Sequence, residues 1–192
     1  MQKGTILVWD PLVRLFHWLL AGCFVFNYLA GARWLELHVL AGSIVAGLLL
    51  FRFIWGVLGT PHARFSDFLY SPYQIASHLA GLVKRRVERW VGHNPAGGAM
   101  IFALLTGLLL LTASGVALYG AQQDAGPLAV LYAMLDERQL GLLEQVHSWL
   151  ADAVAALVGL HLFGVAVESA FQKENLVASM IHGRKPLYGK ET

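Results

Sequence analysis

Four long apolar runs dominate the pattern of hydrophobic and polar positions along the chain. They cover about residues 12–31, 37–58, 98–119 and 147–167. Each run has close to the ~20 residues that a helix needs to cross the hydrocarbon core of a bilayer. A buried soluble core could account for one such run, but four runs predict an all-α integral membrane four-helix bundle. We expect residues 1–192 to form this single domain.

The first run could instead belong to a cleaved signal peptide, because Ala30-Gly31-Ala32 resembles a cleavage site. The apolar core of a signal peptide, however, has only about 7–15 residues and follows a more basic start. We therefore expect this run to be retained as the first membrane span.

The composition supports a membrane protein, and the cysteine count limits the cofactors that the chain could bind. The chain is 57% hydrophobic and 14% charged, whereas soluble domains carry about 25% charged residues. Cys23 is the only cysteine. A single thiol excludes an internal disulfide, an iron–sulfur cluster held by four thiolates, and covalent haem attachment through a CxxCH motif.

The basic residues predict how the bundle is oriented. Of the fourteen Lys and Arg residues, only Arg33 and Arg138 fall away from one common side of the bundle. The positive-inside rule then predicts an up-down-up-down order with both termini and the middle loop in the cytoplasm. The net charge of +2 reflects these basic residues on one side of the membrane and is no argument for nucleic-acid binding. We therefore expect no nucleic-acid partner.

The middle loop contains a predicted amphipathic helix at about residues 72–90. Ser71 is a suitable N-cap and Pro72 suits the first helical position. Apolar residues then recur at helical spacing, with Lys and Arg between them. We expect this helix to lie on the inner leaflet with its cations near anionic headgroups. A docking surface for a soluble partner is the alternative.

Four of the eight histidines lie within the predicted spans, at His17, His38, His147 and His161. Ionisable residues inside a membrane are rare and suggest function, although one alone could simply hydrogen-bond a neighbouring helix. In the predicted topology, His38 and His147 share the outer level, and His17 and His161 share the inner level. Each pair joins two different helices, which is what a flat cofactor ligated on both faces requires.

The spacing of His147 and His161 supports two stacked cofactors. Fourteen residues rise ~21 Å along a helix and turn about 1400°, about 40° short of four full turns. Both imidazoles therefore face nearly the same way. Zinc prefers about four protein ligands, whereas a pair of histidines suits haem, whose porphyrin supplies four nitrogens. With both axial positions filled, we predict electron transfer and not catalysis at iron.

Two arginines lie on the faces of these histidines. Arg14 precedes His17 by three residues, and Arg52 follows His38 by fourteen. Either guanidinium could neutralise a propionate of the inner haem. The alternative is that both side chains extend to the lipid headgroups.

Segments over nearly the whole chain resemble the bacterial cytochrome b561 and Ni-hydrogenase cytochrome b family. In order, these segments are "RLFHWLL" at 14–20, "LHVLAG" at 37–42, "GTPHARFSDFL" at 59–69, "GHNPAGG" at 92–98, "VHSWLA" at 146–151, and "LHLFGVAVES" with "ENLVASMIHGRKP" near the end. The resemblance implies a multi-pass protein of the bacterial inner membrane with two non-covalent b haems. The implied ligands are His17, His38, His147 and His161.

The resemblance also implies electron transfer between the quinone pool and a redox partner. That partner could be a periplasmic c-type cytochrome, another redox protein or a hydrogenase. The compact chain is more similar to stand-alone members, which lack the long extra segments expected of hydrogenase subunits. His62 and Arg64, at the cytoplasmic surface, could form a quinone or propionate site or could simply cap an interfacial loop.

Three alternatives to this electron-transfer role stay open at this point. The protein could oxidise superoxide or another small reductant and reduce quinone. It could be the cytochrome b subunit or anchor of a hydrogenase. It could also be a haem-free anchor or proton conductor, which would be colourless. A homodimer is compatible with each of these roles.

Overall fold

The computed structural model describes residues 4–84 and 89–187, most of them helical. The helices are α1 (Pro11–Ala30), α2 (Leu35–Leu58), α3 (Pro72–Val83), α4 (Pro95–Gln123), α5 (Leu131–Met134), α6 (Glu137–Gln172) and α7 (Leu176–His182). Three 3-10 turns lie at Gly31–Trp34, Pro61–Ala63 and Phe65–Asp67. Two short strands, β1 (Thr5–Leu7) and β2 (Arg184–Pro186), pair antiparallel.

Three helical stretches of the described chain are long and apolar enough to cross a membrane. They are Pro11–Leu58, Pro95–Gln123 and Glu137–Gln172, with mean hydropathies of 2.0, 2.2 and 2.0. At most 22% of their apolar windows is buried, so most of these apolar side chains face outward, as they would in lipid. The prediction of a mostly helical chain with membrane-length apolar helices is confirmed.

The first stretch contains both of the first two predicted spans. The 3-10 turn Gly31–Trp34 separates α1 from α2, and Gly31 has a φ of +55°, which a glycine adopts readily. The side-chain amide of Asn27 donates to the backbone carbonyl of His38 over 3.2 Å. This bond shows that α2 folds back beside α1.

The last long helix starts ten residues before the predicted span. Asp136 caps it, since its carboxylate accepts from the backbone N–H of Gln139 over 2.7 Å. The Gln139 side chain in turn accepts from the backbone N–H of Asp136 over 3.0 Å. This reciprocal capping lets α6 begin at Glu137, before the apolar run. The hydrophobic pattern did not predict these first residues, because it marks only the part of a helix that meets lipid.

The described residues divide into two compact units. The first unit comes from the described parts of Met1–Trp18, Phe51–Ile101 and Leu160–Thr192. The second unit comes from Leu19–Leu50 and Phe102–Gly159. His17 and His161 belong to the first unit, and His38 and His147 belong to the second.

Asp10 ties the beginning of α1 to the end of α2 in the first unit. One carboxylate oxygen accepts from the backbone N–H of Val13 over 3.0 Å and so caps α1. The other accepts from the Trp55 indole over 3.2 Å and from the Thr60 hydroxyl over 2.7 Å. Burial raises the pKa of Asp10, but these donors, with the Leu12 N–H, outweigh it and lower the pKa below 3.8.

The pairing of β1 with β2 was not predicted from the sequence. Thr5 pairs with Pro186 and Leu7 with Arg184. Gly183, which ends α7 with a φ of +82°, accepts from the backbone N–H groups of Val8 and Trp9. The two strands have three residues each, which is too short for an alternating pattern to reveal them.

The amphipathic helix is shorter than predicted. Its capping box at Ser71 and Gln74 is present, but α3 ends at Val83 and not at residue 90. Residues 85–88 lie outside the described part of the chain. Arg89 lies outside the helix, and its guanidinium donates to the Glu174 carboxylate over 2.7 Å and to the Pro186 carbonyl over 2.6 Å.

Candidate cofactor site

Two pairs of histidines face each other, one pair within each unit. In the first unit, the ring centroids of His17 on α1 and His161 on α6 lie 6.4 Å apart, with 59° between the ring planes. In the second unit, the centroids of His38 on α2 and His147 on α6 lie 6.3 Å apart, with 69° between the planes. These are the two pairs that helix depth predicts.

The ring separation fits two imidazoles that bind opposite faces of one metal ion. A metal–histidine nitrogen bond is about 2 Å long, and each atom of a five-membered ring lies about 1.1 Å from the ring centre. Two axial imidazoles therefore have centroids about 6.3 Å apart. Within the described residues, no hydrogen bond joins the two rings of either pair, so direct pairing does not explain the distance.

The ligand count fits haem better than a bare metal ion. Among the described residues, no group of three or more His, Cys, Asp or Glu side chains could hold a metal. Each histidine pair therefore offers two nitrogens, whereas zinc prefers four protein ligands. Haem needs only the two axial ligands, because its porphyrin supplies the rest.

The hydrogen-bond surroundings of the Nδ1 atom differ among the paired histidines. The Nδ1 atom of His147 lies 2.9 Å from the hydroxyl oxygen of Ser114 on α4. The Nδ1 atoms of His17 and His38 are buried without a hydrogen-bond partner. A hydroxyl therefore lies within hydrogen-bond distance of the second ring nitrogen of His147, whereas among the described residues the corresponding nitrogens of His17 and His38 have no such partner.

Arg52 is a buried cation in the first unit. It is 4% exposed, so its side chain does not extend to the surface. Its guanidinium donates to the Ala63 carbonyl over 3.0 Å and lies 4.7 Å from the centre of the Phe65 ring. Asp10 attracts it electrostatically, but among the described residues no carboxylate lies within ion-pair distance.

Arg14 contacts α7 through a hydrogen bond. Its guanidinium donates to the backbone carbonyl of Ile181, and its Nε atom is buried without a partner. The neighbouring Trp18 indole donates to the Met180 carbonyl over 3.3 Å. Arg14 thus lies in the unit that contains His17 and His161, with one donor still available.

His62 and Arg64 lie in the loop after α2, in the same unit. The Nδ1 atom of His62 is 3.0 Å from the Asp67 carboxylate. The Nε atom of Arg64 donates to the Gly59 carbonyl over 2.7 Å. Both side chains therefore have partners inside the loop, and the structure alone does not bring them to the paired histidines.

Sequence reasoning missed a buried histidine in the "GHNPAGG" segment. His93 lies between the rings of Trp9 and Phe68, at centroid distances of 4.5 and 4.7 Å. Burial lowers its pKa to about 3, and the nearby charges of Arg52, Lys185 and two other histidines act in the same direction. The imidazole is therefore neutral at physiological pH.

A second missed feature joins α3 to α6 in the first unit. The Nε2 atom of His78 lies 2.9 Å from the Glu168 carboxylate, and these side chains are only 6% and 9% exposed. The sequence placed residue 78 in the predicted amphipathic helix of the middle loop, but it gives no signal that pairs His78 with Glu168.

Comparisons with known proteins match the chain to one family over most of its length. The family described as prokaryotic cytochrome b561 matches residues 8–183. A probable Ni/Fe-hydrogenase B-type cytochrome subunit of Rhizobium leguminosarum bv. viciae is 24% identical, with 100% of this chain and 93% of the relative aligned. The subunit of the same name in Azotobacter chroococcum mcd 1 is 23% identical over 95% of this chain and 89% of the relative.

No solved structure matches the chain at a significant level. The family match covers all four long helices and all four paired histidines. Members of such a family are membrane-bound b-type cytochromes, which transfer electrons through haem. On this evidence the chain belongs to the prokaryotic cytochrome b561 family.

Proposed function

We propose that this chain is a four-helix transmembrane cytochrome with two haem b groups, one between His17 and His161 and one between His38 and His147. It would transfer electrons across the bacterial inner membrane between the quinone pool and a redox partner. The observation that carries the proposal is the separation of 6.4 and 6.3 Å in two independent histidine pairs. Two haems on one chain would give electrons a route between the leaflets.

The bound haem would supply reversible one-electron exchange between ferric and ferrous iron. The protein's own residues hold and tune it. Each pair of imidazoles would hold the iron of one haem, and would so keep oxygen or substrate from binding to it. In the first unit, the buried guanidinium of Arg52 and the unpaired Nε of Arg14 are suited to the carboxylates of a haem, because both donors are buried and cationic.

The orientation of the protein follows from its charges. We infer four spans with both termini in the cytoplasm, since Arg33 and Arg138 are the only basic residues predicted outside. The hairpin of α1 and α2 supports two spans in the stretch Pro11–Leu58. The pair His17–His161 would then serve the cytoplasmic side, and His38–His147 the periplasmic side.

The relatives favour a second candidate, which is the b-type cytochrome of a hydrogenase. All of the relatives named above are described as hydrogenase cytochrome subunits. The alignment with the Rhizobium relative runs over 227 positions, while this chain has 192 residues. At least 35 positions of that relative thus have no counterpart here, which favours a different partner, such as a periplasmic c-type cytochrome.

Haem analysis of the purified protein tests the proposal. We expect about two non-covalent b haems per chain, extractable by acidic acetone, with no change in the reduced spectrum on adding carbon monoxide. His17→Ala, His38→Ala, His147→Ala and His161→Ala should each remove the bis-histidine signal of one haem. The matched control is His182→Ala, at the exposed last residue of α7, which should keep both. A colourless wild-type protein would contradict the proposal.

Reduction by quinol, followed by oxidation by a c-type cytochrome or by hydrogenase, distinguishes the partners. We expect rapid reduction by quinol and rapid electron transfer to the c-type cytochrome. Electron transfer from a hydrogenase with hydrogen as donor, and none to the cytochrome, would favour the second candidate.

A further inference from the structure

Ser114 on α4 holds the imidazole of His147 in a defined protonation state. The Ser114 hydroxyl donates to the backbone carbonyl of Leu111 over 2.9 Å. A hydroxyl has one proton, so its oxygen is left to accept, and the Nδ1 atom of His147 lies 2.9 Å away. Because that oxygen accepts, the ring proton is on Nδ1, and the lone pair is on Nε2.

The next residue fixes the position of the same ring. A Cβ atom on Gly115 would lie 3.0 Å from Cε1 of His147. No side chain fits there unless the imidazole moves by a few tenths of an ångström, because real Cβ contacts at this distance are rare. Ser114 and Gly115 therefore act on His147 together, one through a hydrogen bond and one through close contact.

His147 differs in this respect from His38, which faces it. The Nδ1 atom of His38 is buried without a partner. A ligand imidazole that donates its second N–H becomes a more electron-rich ligand, and hydrogen bonding around a haem is one of the means by which a protein sets its potential. In the second unit, the Nδ1 atom of His147 therefore has a hydrogen-bond partner, whereas the Nδ1 atom of His38 has none among the described residues.

We propose that Ser114, with Gly115, is a positioning residue that lowers the reduction potential of the haem in the second unit by holding His147. This inference rests on the proposed haem binding. It assigns to α4, which contributes no ligand, the role of setting the difference in potential between the two haems.

Redox titration of Ser114→Ala in the purified holoprotein tests the role. We expect both haems to stay bound and one of the two midpoint potentials to rise by up to the 59 mV that equals a tenfold change in the one-electron equilibrium. The other potential should not move. Ser114→Thr, which keeps the hydroxyl, should restore the wild-type value. Two unchanged potentials at full haem content would overturn the inference but leave the proposed function intact.

Ser43→Ala is the matched control. The Ser43 hydroxyl on α2 also donates to a carbonyl of its own helix, that of Val39, over 2.8 Å. Unlike Ser114, Ser43 has no hydrogen bond to a histidine ring within the described part of the chain. It should change neither potential, and an equal shift in this variant would contradict a specific role for Ser114. If Ser114→Ala does not fold, Ser114→Cys applies the same test, since sulfur is a weaker acceptor.

Gly115→Ala provides an independent readout of ring position. We expect it to change the paramagnetic resonance signal of one low-spin haem, because the His147 ring must move. Gly159→Ala on α6 is the control, since a Cβ there would meet nothing within 4 Å. Identical spectra for Gly115→Ala and wild type would show that Gly115 does not position the ligand.

Discussion

The imidazoles of His17 and His161 face each other at a centroid distance of 6.4 Å, although one lies near the beginning of α1 and the other far along α6. The separation matches that of His38 and His147 to 0.1 Å. Both pairs take one histidine from α6, but the other member comes from α1 in one pair and from α2 in the other, so their agreement does not follow from a single contact between two helices. The proposed binding of one haem by each pair accounts for it.

The pairing itself can be tested by combining substitutions. His17→Ala and His161→Ala should affect the same haem, so the double variant should lose no more haem than either single variant. Residues that act on one site are not additive, whereas residues at independent sites are. His17→Ala combined with His147→Ala should therefore remove both bis-histidine signals. Measuring haem per chain and low-spin resonance in all of these variants checks the prediction, and additive losses for His17 and His161 would contradict it.

Arg52→Met should lower the midpoint potential of one haem, by roughly the 59 mV that corresponds to a tenfold change. A buried cation favours the reduced haem, because reduction adds negative charge in a region of low dielectric constant. Redox titration measures the effect. Arg33→Met, in the exposed 3-10 turn after α1, is the control and should leave both potentials unchanged. Lower stability with unchanged potentials would instead assign Arg52 a purely structural role.

Gly56→Ala should destabilise the protein, since a Cβ there would lie 2.1 Å from Cε2 of Phe65. Phe65 also stacks on Arg52, so the ring cannot move without disturbing that cation. Overpacking of this kind costs about 1–3 kcal/mol, which thermal unfolding in detergent can detect. Gly47→Ala on the same helix meets nothing within 4 Å and should have little effect. Equal melting temperatures for the two variants would contradict the prediction.

His93 should make the protein less stable in acid. Its pKa is about 3 in the folded state, because of burial first and nearby cations second, against an ordinary value of 6.5. The unfolded chain therefore binds a proton that the folded chain does not. The stability from this group is complete above pH 6.5 and declines as the pH falls toward 3, by up to about 1.4 kcal/mol per pH unit.

Melting temperatures between pH 5 and 8 test this prediction. His93→Phe, which keeps a ring between Trp9 and Phe68, should flatten the acid side of the curve. His182→Phe, at an exposed position, is the control and should keep the wild-type slope. Parallel curves for His93→Phe and wild type would show that His93 does not cause the acid sensitivity.

The apolar runs by themselves predicted the long helices, because a membrane-length hydrophobic run has few other stable conformations. The predicted topology also placed His38 at the level of His147 and His17 at the level of His161, and helical rise and phase set His147 and His161 on nearly the same face of one helix. Local capping signals such as Ser71 gave the beginning of α3. These features depend on a residue's neighbours along one helix, which the sequence contains directly.

The tertiary structure alone decided which side chains surround those histidines. In a membrane helix, a lipid-facing side chain is as apolar as one at a helix contact, so the pattern does not tell which face meets which neighbour. Ser114 beside His147, the burial of Arg52 and the bonds of Asp10 to Trp55 and Thr60 depend on lateral helix contacts. The sequence determined the position of each residue along its helix, and packing between helices decided its partners.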